Sequence, residues 1–244
     1  MANTTTVVGF LKMTAGLPSM WIFILYVFMV LISGKWQKVS SPLELKGLLV
    51  VHNLSCCITS FITFAAFCMA LYNHGSIYGK TDDPFLVSVF KLYWITKIIE
   101  LLDTVFMMLR HRSRQISFLH VYHHASMLLL SDMAYRFYPW QSIATFLCVN
   151  SLVHVVLYLY YGLTALNPDN PPRWKKEVTQ IQILQFVVGL TIAGYGHIYH
   201  QFCVYSMMYG LTMIYLFSNF YYHAYIKKRH TEVNGKVNGK SHSQ

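Results

Sequence analysis

The chain has 244 residues, 55% hydrophobic and only 11% charged, with mean hydropathy +0.40. A soluble globular domain carries about 25% charged residues, so composition excludes an ordinary water-soluble enzyme and points to an all-α, polytopic membrane protein. The formal net charge of +10 lies in short loops and in the tail between apolar runs, which suits topology control and anionic head groups or substrates and argues against nucleic acid as a partner.

The first sixteen residues lack a basic stretch followed by an apolar core and a small-residue cleavage site, so no cleaved signal peptide is expected. Seven apolar runs follow, at residues 17–33, 48–72, 85–109, 116–133, 141–164, 180–199 and 204–226. A membrane-spanning helix needs about 20 residues, within about 17 to 25. The first and fourth runs are at the short limit, and the fourth also carries histidines that lower its hydropathy. Residues 167–172, Asn-Pro-Asp-Asn-Pro-Pro, stop the fifth run and set the start of the sixth. The expected organisation is one seven-span domain over residues 1–229 and a disordered polar tail over 230–244, where Val-Asn-Gly-Lys occurs twice.

Loop charges orient the spans. With seven spans and a cytosolic C-terminus, Lys35, Lys38, Lys46, Arg110, Arg112, Arg114, Arg173, Lys175, Lys176, Lys227, Lys228, Arg229, Lys236 and Lys240 fall on the cytosolic side. Only Lys12, Lys80 and Arg136 fall opposite. This segregation follows the positive-inside rule and would be scrambled by removing one span. It places the N-terminus in the lumen, where Asn3-Thr4-Thr5 is a glycosylation acceptor; Asn53-Leu54-Ser55 lies inside a run and should be silent.

All five cysteines (Cys56, Cys57, Cys68, Cys148 and Cys203) fall in apolar runs and none forms a CxxC pair, so they read as small buried hydrophobes rather than a disulfide framework or a reactive nucleophile. The informative residues are polar ones inside the runs, where they are expensive and mark function. In the third run, Lys97 and Glu100 stand at i, i+3, Glu100 and Thr104 at i, i+4, and Asp103 three beyond Glu100. They form a polar stripe with a built-in ion pair. A self-neutralised structural pair is the competing reading. Arg110, Arg112 and Gln115 would crowd the cytosolic end of the same helix, or act simply as a stop-transfer cluster. Lys91 reads as structural.

In the fourth run, His120, His123 and His124 stand at i, i+3 and i+4, so a helix carries all three imidazoles on one face. That face should look into protein, because lipid does not accept a cluster of polar rings. Three groups able to exchange protons near neutral pH suggest chemistry or a metal. The fifth run aligns Asn150, His154, Tyr158 and Tyr161. A lone His154 would read as a hydrogen-bonded core residue; in register with Asn150 it becomes a candidate partner for the box. The sixth run opens with Thr179, Gln182 and Gln185 at steps of three, which glue helices together or line a polar tunnel. His197 and His200 read as an interfacial pair, and His52 and His223 receive no role.

The box His120-Val121-Tyr122-His123-His124, flanked by Phe118-Leu119 and Ala125-Ser126-Met127, resembles that of the very-long-chain fatty acid elongase family. Residues 97–104 are similar to that family's Lys-x-x-Glu-x-x-Asp-Thr motif. Asn150-Ser151-Leu152-Val153-His154 and Tyr158-Leu159-Tyr160-Tyr161 resemble its next block, with Leu157 where methionine is common. Thr179, Gln182 and Gln185 match its Thr-x-x-Gln-x-x-Gln block. Four motifs occur in the family's order over residues 85–226.

The resemblance implies seven spans, six around a narrow tunnel, in the endoplasmic reticulum membrane. It implies a 3-ketoacyl-CoA synthase that condenses long-chain acyl-CoA with malonyl-CoA, releases CO2 and CoA, and lengthens the chain by two carbons. Malonyl-CoA is then a co-substrate, and no cofactor or metal is expected. Membrane lipid and the other elongation-cycle enzymes are the expected partners. The Val-Tyr-His-His-Ala-Ser-Met run is most similar to members acting on polyunsaturated chains. The family's lysine-based retrieval signal is not matched, since Ser241 and His242 stand where a further lysine would be expected.

By the same resemblance His123 takes the acyl group as an acyl-imidazole. An imidazole, with an unperturbed pKa of about 6.5, can serve as nucleophile and acyl carrier. His154, His120, His124 and Asn150 complete the catalytic set as hydrogen-bond donors to the enolate or oxyanion. Glu100 and Asp103 orient Lys97 and the histidines. Lys97, Arg110, Arg112, Gln115, Lys175, Thr179 and Gln182 occupy positions resembling the CoA-binding set, giving the positive charge an anionic ligand. Two other classes compete. A di-iron membrane desaturase or hydroxylase also uses HxxHH, but needs several such boxes, and this chain has one. A seven-span receptor or proton-coupled transporter explains the topology but not the four blocks.

Overall fold

The computed structural model describes residues 7–81, 83–202 and 204–227. The expected tail at 230–244 and the Asn3 acceptor lie outside the described residues. The described residues are helical, with no strand among them. The helices are α1 (Val7–Ala15), α2 (Ser19–Val39), α3 (Lys46–His74), α4 (Pro84–Glu100), α5 (Leu102–Leu109), α6 (Phe118–Phe137), α7 (Gln141–Leu166), α8 (Lys175–His200) and α9 (Val204–Tyr221). A 3-10 turn, Ser113–Gln115, precedes α6, and a π-helical turn, Tyr222–Lys227, follows α9.

Each apolar run of the sequence holds helix, with boundaries set by local chemistry. α2 runs on to Val39, past the apolar run that ends at residue 33. Its extra turns are polar and bind the next corner, Gln37 Nε2 donating to Met108 O at 3.1 Å. Asp83 caps α4, accepting from Phe85 N and Leu86 N with Pro84 at the first helical position. Ser117 caps α6 by accepting from His120 N at 3.2 Å. α3 ends on Gly75 at φ 64, the left-handed conformation a C-terminal cap needs. α5 ends in the same manner with His111 at φ 54, Arg112 N donating to Met107 O and His111 N to Met108 O. His111 is held there by Ser40 Oγ at 3.1 Å and by the Trp36 ring.

The third run differs from the expected single span. It is divided at Leu101, where Leu101 N donates to Ile98 O and Thr104 N to Leu101 O. These i→i+3 bonds tighten the helix locally, a feature often found at functional positions, and here it falls between Glu100 and Asp103. Among the described residues four helices, α2, α3, α7 and α8, are long and apolar enough to cross a membrane. α4 stops at 17 residues because of the break, α6 carries three histidines, Asp132 and Arg136, and α9 is rich in tyrosine. Large apolar side chains face outward on α2, with Trp21 and Leu31 each 74% exposed, which suits lipid rather than water. The chain is thus a multi-pass membrane protein.

Residues form two compact units, Met1–Pro172 and Arg173–Gln244. In the first, α3 lies along α7, α4 touches α6 and α3, and α2 covers α6 and α5. Phe67 and Phe90 meet edge to face at 5.4 Å, with Tyr93 beside them. Tyr26, Leu101, Ala125 and Leu128 form a further buried cluster. A polar clamp joins three helices away from the histidines. Buried Asp132 accepts from Ser19 N at 3.1 Å and Arg136 Nε at 2.6 Å, while Trp94 Nε1 donates to Ser19 Oγ at 2.8 Å. Among the described cysteines, Cys56 and Cys148 are buried and Cys57 is half-buried, but Cys68 is exposed, contrary to the buried expectation, although its Sγ lies 3.6 Å from that of Cys148 on α7; Cys203 lies outside the described residues. Asn53 turns its amide onto Leu49 O within α3. In the second unit α8 lies against α9, with Phe186 and Phe217 in contact at 5.6 Å. His197, half of the interfacial pair, has Nδ1 2.8 Å from Phe202 O at the end of α8.

Candidate active site

The site assembles in the first unit from the faces of α3, α4, α5, α6 and α7. Lys97, on the last turn of α4, is 4% exposed and donates to Glu100 Oε1 at 2.9 Å and Oε2 at 3.0 Å. Glu100 is fully buried. His154, from α7, joins the same pair, its Nδ1 3.2 Å from Lys97 Nζ and 3.1 Å from Glu100 Oε1. Nδ1 can accept from the ammonium or donate to the carboxylate, but not both at once. While it accepts from Lys97, a neutral ring carries its hydrogen on Nε2. The Lys97 ammonium also lies 4.8 Å from the Tyr93 ring centre, and the Tyr93 hydroxyl donates to Asn150 Oδ1 at 2.7 Å.

The histidine box fans between α5 and α7. His120 Nε2 lies 2.8 Å from Thr104 Oγ1, and that hydroxyl meets Tyr26 OH at 3.0 Å. His124 lies 4.3 Å from His120 and 5.7 Å from His123, ring centre to ring centre. His123 faces α7, with its ring 6.2 Å from that of His154. The i, i+3, i+4 spacing thus keeps the three rings adjacent, while aiming His120 and His123 at different neighbours.

Asp103 lies just past the helix break and turns away from Lys97. Its Oδ2 accepts from the Tyr158 hydroxyl at 2.7 Å, and its Oδ1 is 2.9 Å from His52 Nε2. The two acidic residues of the stripe therefore serve different imidazoles, Glu100 that of His154 and Asp103 that of His52. The Tyr158 ring, in turn, lies 5.7 Å from His154. The α7 face predicted to run from Asn150 to Tyr161 is buried only as far as Tyr158, and Tyr161 is 39% exposed.

Lys97 sits among the histidines. Arg110 is half-buried at the end of α5, and Arg112 and Gln115 are exposed on the turn that follows. Lys175, Thr179 and Gln182 belong to the first two turns of α8 in the second unit. There the Thr179 hydroxyl donates to Lys175 O at 3.3 Å and lies 3.4 Å from Tyr225 OH. Lys91 is exposed on α4. Among the described residues no three His, Cys, Asp or Glu side chains are arranged to hold a metal ion.

Sequence reasoning missed His52, Tyr93 and Tyr26. Extending the α4 stripe back by one turn reaches Tyr93, four residues before Lys97. His52 opens a readable stripe of its own: His52, Cys56, Ser60, Thr63 and Phe67 are spaced by three and four and are all buried. Tyr26 stands among aliphatic and aromatic neighbours, with no pattern to mark it.

The sequence profile of the GNS1/SUR4 family (ELO) matches residues 12–233. Among curated proteins, the chain is 32% identical over 259 residues to very long chain fatty acid elongase 5 of Tachysurus fulvidraco, covering 96% of this chain and 88% of the relative. It is 33% identical over 237 residues to elongase 5 of Bos taurus, covering 92% and 79% respectively. To very long chain fatty acid elongase 1 of Mus musculus it is 36% identical over 228 residues, covering 84% and 80%.

Proposed function

The chain belongs to the GNS1/SUR4 family of fatty acid elongases, and from that premise we propose that it is the condensing enzyme of the elongation cycle, working through an acyl group carried on His123. The substrates are a long-chain acyl-CoA, with a long or polyunsaturated chain, and malonyl-CoA. The products are a 3-ketoacyl-CoA longer by two carbons, CO2 and CoA. The setting is the endoplasmic reticulum membrane, with seven spans, six of them around the acyl tunnel, the N-terminus luminal and the C-terminus cytosolic. The other enzymes of the cycle are its partners.

One observation carries the reading: a buried Lys97–Glu100 pair holds His154 by Nδ1, and His154 lies beside His123. A purely structural ion pair within one helix has no need of a histidine from a second. Neutral His123 attacks the thioester carbonyl, forming the N–C bond as the C–S bond breaks, and the departing CoA sulfur takes the ring proton. Malonyl-CoA then loses CO2. Its enolate attacks the acyl carbon, expels the imidazole, and a proton from solvent restores the ring. Overall one proton is consumed. His154, His120 and Asn150 supply donors for charge developing on the acyl or enolate oxygen, and one such donor is typically worth about 10²–10³ in rate. His124 supports the other two rings of the box. Tyr93 fixes Asn150 by binding its carbonyl oxygen, which sets where the amide nitrogen points. Lys97, Arg110, Arg112, Gln115, Lys175, Thr179 and Gln182 keep the CoA-binding role that the family resemblance implies for them.

The test is malonyl-CoA-dependent lengthening of labelled acyl-CoA by membranes containing the chain, compared with His123→Ala at equal protein level. Wild-type membranes should lengthen the chain and the variant should not. Equal turnover in the variant removes His123 as the carrier. Stoichiometric iron in the purified protein with no condensation would put the desaturase reading in its place.

A further inference from the structure

We propose that His52 is a positioning residue of this site, acting through Asp103 to hold the Tyr158 hydroxyl and with it the surface against which His154 rests. The inference rests on the condensing-enzyme reading above.

His52 comes from α3, outside the four sequence blocks, and is 7% exposed. Its ring is fixed from several sides. Nε2 lies 2.9 Å from Asp103 Oδ1, Phe106 meets the ring edge to face at 5.0 Å, Tyr158 meets it at 6.4 Å, and Cys56 Sγ is 3.7 Å from Nε2. Asp103 is thus bound at both oxygens, by α3 through His52 and by α7 through Tyr158. Releasing one oxygen lets the carboxylate rotate and takes the fixed acceptor from the Tyr158 hydroxyl.

The consequence reaches the reacting rings in two steps, since Tyr158 lies 5.7 Å from His154 and His154 lies 6.2 Å from His123. Misplacement by about 1 Å can cost about 10²-fold in rate. His52 reaches the reacting rings only through Asp103 and Tyr158, so its loss should lower kcat and leave KM for both substrates unchanged. A merely structural histidine would instead change the yield of folded protein and leave turnover per folded molecule intact.

The experiment compares His52→Gln with His52→Asn in purified full-length protein. Both variants keep a polar amide in the buried stripe, but only glutamine carries its nitrogen as far as Nε2. His52→Gln should keep kcat within about threefold of wild type, whereas His52→Asn should lose about 10–100-fold, the usual cost of removing an orienting partner. Tyr158→Phe added to His52→Asn should cost little more than either change alone, because both act through Asp103. Equal kcat in the two histidine variants, a change confined to KM, or full additivity with Tyr158→Phe overturns the inference. Failure of the wild type itself to lengthen chains overturns the underlying reading instead, so the two failures are distinct.

Discussion

Neutralising Glu100 tests the ion pair at the centre of the site. Lys97 Nζ stands 2.9 and 3.0 Å from the two carboxylate oxygens. Unit charges about 3 Å apart attract by about 5–6 kcal/mol at an effective dielectric of about 20, and removing one member of a buried pair costs about 3–5 kcal/mol because the other is left uncompensated. In Glu100→Gln the ammonium keeps the Tyr93 ring at 4.8 Å and His154 Nδ1 at 3.2 Å. Both contacts exist already in wild type and cancel in the difference, but the glutamine amide oxygen can still accept from the ammonium, so a loss at the lower end of that range, about 3 kcal/mol, is expected. For a chain of this size each kcal/mol lowers Tm by about 2–4 °C, so the variant should melt roughly 6–12 °C below wild type in a thermal scan of detergent-purified protein. Removing both charges, Lys97→Met with Glu100→Leu, should recover most of that stability, since no charge is stranded. It should nevertheless leave condensation lowered by about 10²-fold or more, because His154 loses its orienting group. A Tm within about 2 °C of wild type for Glu100→Gln, or full turnover in the double variant, would refute the reasoning.

Thr104→Val keeps the shape but removes the hydroxyl between Tyr26 OH and His120 Nε2. It should destabilise by about 1–3 kcal/mol and slow turnover, read from thermal melting and the lengthening assay together. Asp132→Asn weakens the clamp on Ser19 N and Arg136 Nε and should cost about 1.5–3 kcal/mol. Because Asp132 lies eight residues beyond His124, about 12 Å along α6, turnover per folded molecule should not change. A loss of kcat in that variant without a loss of stability would contradict the separation of clamp and site.

Much of this organisation is legible in the sequence because lipid makes polar residues conspicuous. The spacing of Lys97, Glu100 and Thr104 gives the stripe, and that of His120, His123 and His124 gives the shared face. Asn150 and His154 lie on a matching face of α7. The division of the third run at Leu101 is not legible: it depends on two local i→i+3 bonds that no residue of the run announces. Its effect is to send Glu100 and Asp103 to different histidines, which the i, i+3 spacing alone does not convey. His52 escapes because a single histidine in an apolar run carries no periodic signal until its buried companions on α3 are read with it. Tyr26 and Tyr93 escape because tyrosine is common in this chain, and only tertiary contact separates a hydroxyl that orients Asn150 or Thr104 from one at an interface.

The most direct test is the mass of the purified protein after incubation with one acyl-CoA and no malonyl-CoA, followed by peptide mapping. A single acyl mass on the peptide bearing His123, discharged as 3-ketoacyl-CoA when malonyl-CoA is added, is the predicted result. An unmodified His123 in protein that still condenses the two thioesters would contradict the acyl-imidazole and leave that histidine a base or a hydrogen-bond donor.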